Sequence, residues 1–122
     1  MNLQKVISGF FFILAMTLNF GFFYGDTQNL EIHSNYELYA ALVVSLIATI
    51  LKIGDKTQIG SVLLASSLVA DMQLITAVIV WTVTDSMTTA TMAIIVSLSG
   101  GALLANVTSV ILYIGETLKS KR

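Results

Sequence analysis

The sequence predicts an all-α polytopic membrane protein built from four transmembrane helices. Three observations carry that prediction. Of the 122 residues, 56% are hydrophobic and only 11% charged, with a mean hydropathy of +0.87, whereas soluble domains carry roughly 25% charged residues. The apolar residues gather into four long runs, and the Lys and Arg residues fall at alternate ends of those runs. A chain of this kind has the lipid bilayer as its first partner.

The runs define one four-helix domain over residues 1–122, with spans at about 6–24, 37–53, 60–84 and 87–115. Crossing a hydrocarbon core of ~30 Å at ~1.5 Å per residue takes ~20 residues, which each run approaches or exceeds, the second being the marginal case. The first is the most lipid-compatible, with Phe10, Phe11, Phe12, Phe20, Phe22, Phe23 and Tyr24. Its outer aromatics, with Tyr36, Tyr39 and Trp81, suit the interfacial belt where amphipathic rings settle. Lys5 followed by an apolar stretch imitates a secretory signal, but no Ala-x-Ala-like site follows, so the first run is expected to stay as a helix. The separators, from Gly25, from Gly54 to Gly60 and at Asp85-Ser86, use turn and cap residues. The chain has no proline, so any bend must come from glycine or from an inserted side chain.

With four spans, Lys5, Lys52, Lys56, Lys119, Lys121 and Arg122 share one side, and Asp26, Glu31, Glu37 and Asp85 the other. The positive-inside rule then puts both termini in the cytoplasm. The second and fourth runs end alike: Ile50-Leu51-Lys52-Ile53-Gly54-Asp55 matches Ile111-Leu112-Tyr113-Ile114-Gly115-Glu116, and Ala41-Leu42 matches Ala102-Leu103 at the same offset. A duplicated helical hairpin produces such a pattern. Glycines that simply end helices produce it too.

Composition excludes much. Nucleic-acid binding needs a concentrated basic surface that is missing here. The absence of cysteine removes disulfides and thiolate chemistry, and with His33 as the single histidine no nucleophile, base and orienter can be assembled, so an enzyme is not expected and no cofactor is implied. The acidic stretch with Asp26, Glu31, His33 and Glu37 matches no metal-loop spacing, and whether it takes a metal is left open.

One residue stands apart. Asp71 falls halfway along the third span, where a charged Asp costs ~2.5–3.5 kcal/mol to insert, so it is a functional candidate by default. Helical spacing gives it company: Ser67 one turn before, and Thr82 and Asp85 eleven and fourteen residues on, a broken polar stripe toward the outer surface. Gln73 adjoins it on a neighbouring face. Asn106 heads a fourth-helix stripe with Thr88, Ser99, Ala102 and Ser109 beside Gly100-Gly101, and Asn19, Ser45 and Thr49 add polar groups on the first two helices. Small and hydroxylated residues at this spacing also serve ordinary helix packing, which is the better reading of the fourth-helix stripe. For Asp71 packing is the weaker reading, since Ser or Asn would serve it at less desolvation cost.

The stretch Gly54-Asp55-Lys56-Thr57-Gln58-Ile59-Gly60 leading into Leu68-Val69-Ala70-Asp71-Met72-Gln73-Leu74 resembles short bacterial four-helix inner-membrane proteins of uncharacterised function. The resemblance implies a bacterial inner membrane and no particular activity. Small multidrug transporters and fluoride channels have similar lengths, but the former carry a membrane-embedded Glu in the first helix, where this chain has Asn19, and the Gly/Asn/Arg pattern of the latter is missing.

These readings converge on an oligomeric channel or transporter for a small cation or proton, with Asp71 as ligand or proton acceptor and Ser67, Gln73, Thr82, Asp85 and Asn106 lining its route. A homo-oligomer is expected because four spans enclose little beyond their own packing, so a subunit interface protects Asp71 more readily. The alternative is a non-transporting auxiliary or assembly subunit of a larger membrane complex, with Asp71 pairing to a partner's Lys or Arg.

Overall fold

A computed structural model describes residues 3–24, 35–53 and 58–120. They form four helices: α1 (Leu3–Tyr24), α2 (Asn35–Ile53), α3 (Gln58–Val83) and α4 (Thr89–Ser120). All four are long and apolar enough to cross a membrane. The helices run past the expected spans, α4 by five residues at its C-terminal end, because an apolar run marks only the part that lipid would cover. At 32 residues, α4 extends over roughly 48 Å, so its last turns, with Glu116 and Lys119, outreach a hydrocarbon core. Its start is set by Thr88, whose hydroxyl accepts from the Thr91 N–H at 3.1 Å and so satisfies one of the free donors of the first turn.

The helices stand at the corners of a square in chain order. Helix α1 packs on α2 and α4, α3 packs on α2 and α4, and the backbones of the diagonal pairs do not meet. The Tyr113 hydroxyl donates to the Lys5 carbonyl at 2.7 Å, which joins the end of α4 to the start of α1. The bundle therefore has a terminal end, with Leu3, Ile53, Gln58 and Ser120, and a hairpin end, with Tyr24, Asn35 and the 84–88 turn.

Each helix buries a seam whose residues alternate in steps of three and four. In α1 it is Phe12, Ala15, Asn19 and Phe22; in α2, Leu38, Ala41, Ser45, Ala48 and Lys52; in α3, Leu63, Ser67, Ala70, Leu74 and Ala77; in α4, Met92, Ile95, Ser99, Ala102, Asn106 and Ser109. That 3.5-residue repeat is the left-handed supercoil of a four-helix bundle. The polarity is inverted relative to a soluble bundle. Phe10, Met72 and Leu104 on the outside are 58%, 62% and 71% exposed, while serines, asparagines, an aspartate and a lysine lie within. Lipid tails are as apolar as leucine, so helices in a bilayer associate through close packing of small residues and interhelical hydrogen bonds rather than hydrophobic burial. Outward hydroxyls are satisfied locally instead: Thr17, Thr76, Thr82 and Thr108 each donate to a carbonyl three or four residues back, as a polar group facing lipid must.

One apolar layer caps the polar interior and a smaller apolar cluster flanks it. Toward the hairpin end, Phe22, Leu38, Leu74, Met92 and Ile95 pack together, with Trp81 against them. Beside Lys52 and Ser109, Phe12, Ala48 and Val110 form a smaller cluster with Met16 and Tyr113, where the Phe12 and Tyr113 rings meet edge to face, centroids 4.9 Å apart. Gly115 does not end its helix, since α4 continues to Ser120; Gly54 lies outside the described residues.

At the contact of α3 with α4, Gly101 leaves the space that the Gln73 amide occupies, which a Cβ would overlap. At Gly115 a Cβ would meet nothing within 4 Å. Gly101→Val is therefore expected to destabilise the bundle by ~1–3 kcal/mol through overpacking, whereas Gly115→Ala is neutral or stabilising by up to ~1 kcal/mol. Thermal unfolding of the two variants in detergent checks both.

Candidate functional site

The polar interior is built chiefly from one face of α2 against one face of α3. Ser45, Thr49 and Lys52 repeat by four and three residues along α2, and Ser67 and Asp71 by four along α3, so each set lines up on one side of its helix. Asp71 is 5% exposed, at the fourteenth position of a 26-residue helix. Ser45 Oγ donates to its Oδ1 at 2.7 Å, and Thr49 Oγ1 reaches its Oδ2 at 2.5 Å. Each carboxylate oxygen thus meets one hydroxyl.

The Thr49 hydroxyl also stands 2.9 Å from the Ser45 carbonyl, and it has one proton to give. With Asp71 ionised, Thr49 donates to Oδ2. With Asp71 protonated on Oδ2, the acid donates to Thr49 and Thr49 donates to the Ser45 carbonyl. Both protonation states therefore have a complete hydrogen-bond arrangement without any helix moving.

Lys52 is the penultimate residue of α2, yet it is only 3% exposed. Helical side chains slant toward the helix N-terminus, and for α2 that direction leads into the bundle rather than out past its terminal end. The ammonium donates to Ser67 Oγ on α3, donates to Ser109 Oγ on α4 at 3.0 Å, and lies 4.5 Å from the centroid of the Phe12 ring on α1. One amine touches all three other helices. Ser109 and Ser66 share a hydrogen bond, and Ser66 donates to the Leu63 carbonyl at 2.9 Å. The donor sequence consequently runs from Lys52 through Ser109 and Ser66 to a backbone acceptor.

Lys52 and Asp71 are not bonded to each other directly; their hydrogen bonds go to the hydroxyls between them. Ser67 is one turn from Asp71, so the opposite charges lie about one helical turn apart in an apolar surround. At that spacing and low dielectric they attract strongly, and removing one leaves the other uncompensated.

Asn106 belongs to a second group, on the opposite side of the bundle. The Asn19 amide, oriented by its partners, donates to the Ser99 carbonyl at 2.9 Å and accepts from the Leu103 N–H at 2.9 Å and from the Asn106 amide at 3.1 Å. Ser99 and Leu103 are the two ends of one helical link around Gly100-Gly101. Asn19 clasps the α4 backbone there, and these amides tie α1 to α4.

The expected stripe beyond Asp71 breaks. Ser67 and Asp71 share the core, but Thr82 and Asp85 are exposed, with the Thr82 hydroxyl turned back to the Val78 carbonyl at 2.8 Å. The buried seam of α3 repeats every 3.5 residues rather than 3.6, so Thr82, eleven residues on, is off the line through Asp71, and Asp85 lies beyond the end of α3 at Val83. Leu38, Leu74, Phe22 and Met92 fill the space that a polar route to the hairpin end needs. Gln73 does not join Asp71 either; two residues further, it faces α4, where its amide covers Gly101 and its Oε1 is buried without a hydrogen bond. Burial of Asp71 takes no second subunit, because one bundle provides it. Asp26, Glu31, His33, Asp55, Lys56, Lys121 and Arg122 lie outside the described residues. Among the described residues, no group of three or more His, Cys, Asp or Glu side chains could hold a metal.

Sequence reasoning missed Lys52, which reads as a flanking charge at a helix end. The signal was its register: Leu38, Ala41, Ser45, Ala48 and Lys52 follow the same three-and-four spacing as the other seams.

Four helices of membrane-crossing length around a buried acid and amine define a small α-helical bundle of the polytopic membrane class. Within that class the chain belongs to a family of unknown function, DUF6394, whose match covers residues 32–117 and so takes in α2, α3 and nearly all of α4. No curated protein and no solved structure matches it.

Asp71→Leu strands the Lys52 ammonium in an apolar core and is expected to destabilise the bundle by about 3 kcal/mol or more. Adding Lys52→Met should recover most of that loss, and the double-mutant cycle in detergent unfolding measures the coupling. Additive losses would show that the two charges act independently.

Proposed function

We propose that this protein is an integral membrane protein of the bacterial inner membrane that carries protons across the bilayer, with Asp71 as the group that takes up and releases them. The observation that supports it is the setting of Asp71: a carboxylate in the middle of a membrane-length helix, 5% exposed, whose hydroxyl partners satisfy both the ionised and the protonated form. An intramembrane acid held for structure alone needs hydrogen bonds for one protonation state; a carrier needs them for both, and here the protonated one gives up its attraction to Lys52.

The broader reading, a channel or transporter for any small cation, narrows on two grounds. An apolar layer closes the polar core toward the hairpin end, which suits a carrier whose site is reached from one side at a time rather than an open pore. The Lys52 ammonium repels a second cation arriving beside Asp71. The reading as an auxiliary subunit needs Asp71 to pair with a partner's cation, and it weakens because Lys52 of the same chain already supplies one.

In this proposal both termini are cytoplasmic. Lys5 and Lys119 are at the terminal end of the bundle, with Lys56, Lys121 and Arg122 on that side in the sequence, while Lys52 drops out of the bias because its amine is in the core. The polar groups that adjoin Asp71 on the terminal side, Ser67, Lys52, Ser109 and Ser66, would then form the cytoplasmic approach. A homo-oligomer fits the reading without being required by it.

Proteoliposomes carrying a pH-sensitive dye test it. Under an imposed potassium-diffusion potential, wild type should acidify or alkalinise the lumen according to the sign of the potential. Asp71→Asn should reduce this to the rate of empty vesicles, as should Asp71→Asn/Lys52→Met, which leaves no ammonium uncompensated and so separates lost transport from lost folding. Ser97→Ala, on the exposed face of α4, should leave the flux unchanged. Proton flux at the wild-type rate in Asp71→Asn overturns the proposal.

A further inference from the structure

Two adjoining groups of oxygens surround the charges: Ser67 and Ser109 hold the Lys52 ammonium, which also lies over the Phe12 ring, and Ser45 and Thr49 hold the Asp71 carboxylate. The polar atoms involved are the hydroxyl oxygens of Ser45, Thr49, Ser67 and Ser109 and the carboxylate of Asp71. Oxygen-only sets with hydroxyl and carboxylate donors suit hard cations, and their charge decides which. A single carboxylate balances a single positive charge.

That positive charge is present, supplied by the chain itself. Lys52 Nζ is held by Ser67 and Ser109 in the manner of a bound cation, as both hydroxyls turn their lone pairs toward it. At Ser109 this orientation is fixed from behind: Ser66 gives its own proton to the Leu63 carbonyl, so in the bond shared with Ser109 it is Ser66 that accepts and Ser109 that donates. Ser45 and Thr49 give their protons to Asp71 and keep lone pairs free. The seat is therefore arranged for a monovalent cation, and its occupant is tethered by four methylenes to the end of α2.

We propose that Lys52 is a tethered cation filling an alkali-metal seat, and that by occupying it Lys52 restricts exchange at Asp71 to protons. The functional meaning of this selectivity rests on the proton-carrier reading; the occupancy of the seat does not. Two alternatives from elsewhere in the bundle are weaker. The Asn19–Asn106 group has no charge to attract an ion, and the unpaired Gln73 Oε1 is covered by Gly101 with no second donor beside it.

Shortening the tether while leaving the oxygens in place tests the idea. In Lys52→Ser an alkali ion should take the vacated seat, and its binding should raise the unfolding midpoint in detergent by roughly 5 °C or more when choline chloride is exchanged for NaCl, KCl or LiCl at equal ionic strength. Wild type and Lys52→Arg, with the seat filled, should not respond, and Lys52→Ser/Asp71→Asn should lose the response. Should Lys52→Ser fail to fold in choline chloride, recovery of its helical circular dichroism in one of the alkali chlorides is the expected result. A folded Lys52→Ser indifferent to the cation, a failure to fold in every alkali chloride, or a response that survives Asp71→Asn each overturns the inference. None of these depends on flux, so the proton-carrier reading stands or falls separately on Asp71→Asn in vesicles.

Discussion

The bundle is organised around an ammonium that points the wrong way for a lysine at a helix end. Long basic side chains near membrane boundaries usually snorkel outward, trailing their stems along apolar surface and leaving the charge in water. Lys52 turns inward, and its amine bonds to α3 and α4 and lies over a ring of α1. An isolated charge there is untenable in low dielectric, so the rest of the core follows from it: an acid within about a turn, hydroxyls to carry the remaining hydrogen bonds, and apolar packing to keep the group dry. Asp71 and Lys52 are each the reason the other is tolerable.

This arrangement explains why the interior is more polar than the exterior. In water a bundle is held by the burial of leucines; in lipid that term nearly vanishes, and specificity passes to small residues and directional bonds. Ser45, Ser67, Ser99 and Ser109 occupy seam positions where a soluble bundle carries Leu or Ile. The result is a closely packed square in which the α2–α3 side holds charge and the α1–α4 side holds neutral amides.

How far the sequence disclosed this depends on which physical signal is followed. Span number and helix type were legible, because a run of ~20 apolar residues has few other uses. Asp71 was legible as an exception to such a run. The stripe through Thr82 and Asp85 was not reliable, since it assumed a straight helix with 3.6 residues per turn that continued to Asp85, whereas supercoiling shortens the effective repeat to 3.5 and carries the seam through Trp81 instead of Thr82, and α3 ends at Val83 before Asp85 is reached. Lys52 was hidden by its place at a helix end, where composition says flank and only the heptad register says core. The partners of Asn19 could not be read at all, because an amide on one helix finds a backbone link on another only when the crossing geometry is known.

The clasp between Asn19 and the Ser99–Leu103 link has a consequence for how the protein is made. Asn19 is in the first helix and its partners are in the last, so during synthesis α1 enters the bilayer with an amide that has no mate in α2 or α3. Lys52 likewise waits for Ser109. The square can close only when the fourth helix arrives, which makes α4 the lock of the assembly and leaves a three-helix intermediate with two unmet polar obligations inside the membrane. In such an intermediate α2 and α3 are already joined by the hydrogen bonds of Asp71 and Lys52, whereas Asn19 on α1 still lacks its partners on α4, and it is the stage at which the insertion machinery has most reason to keep hold of the chain.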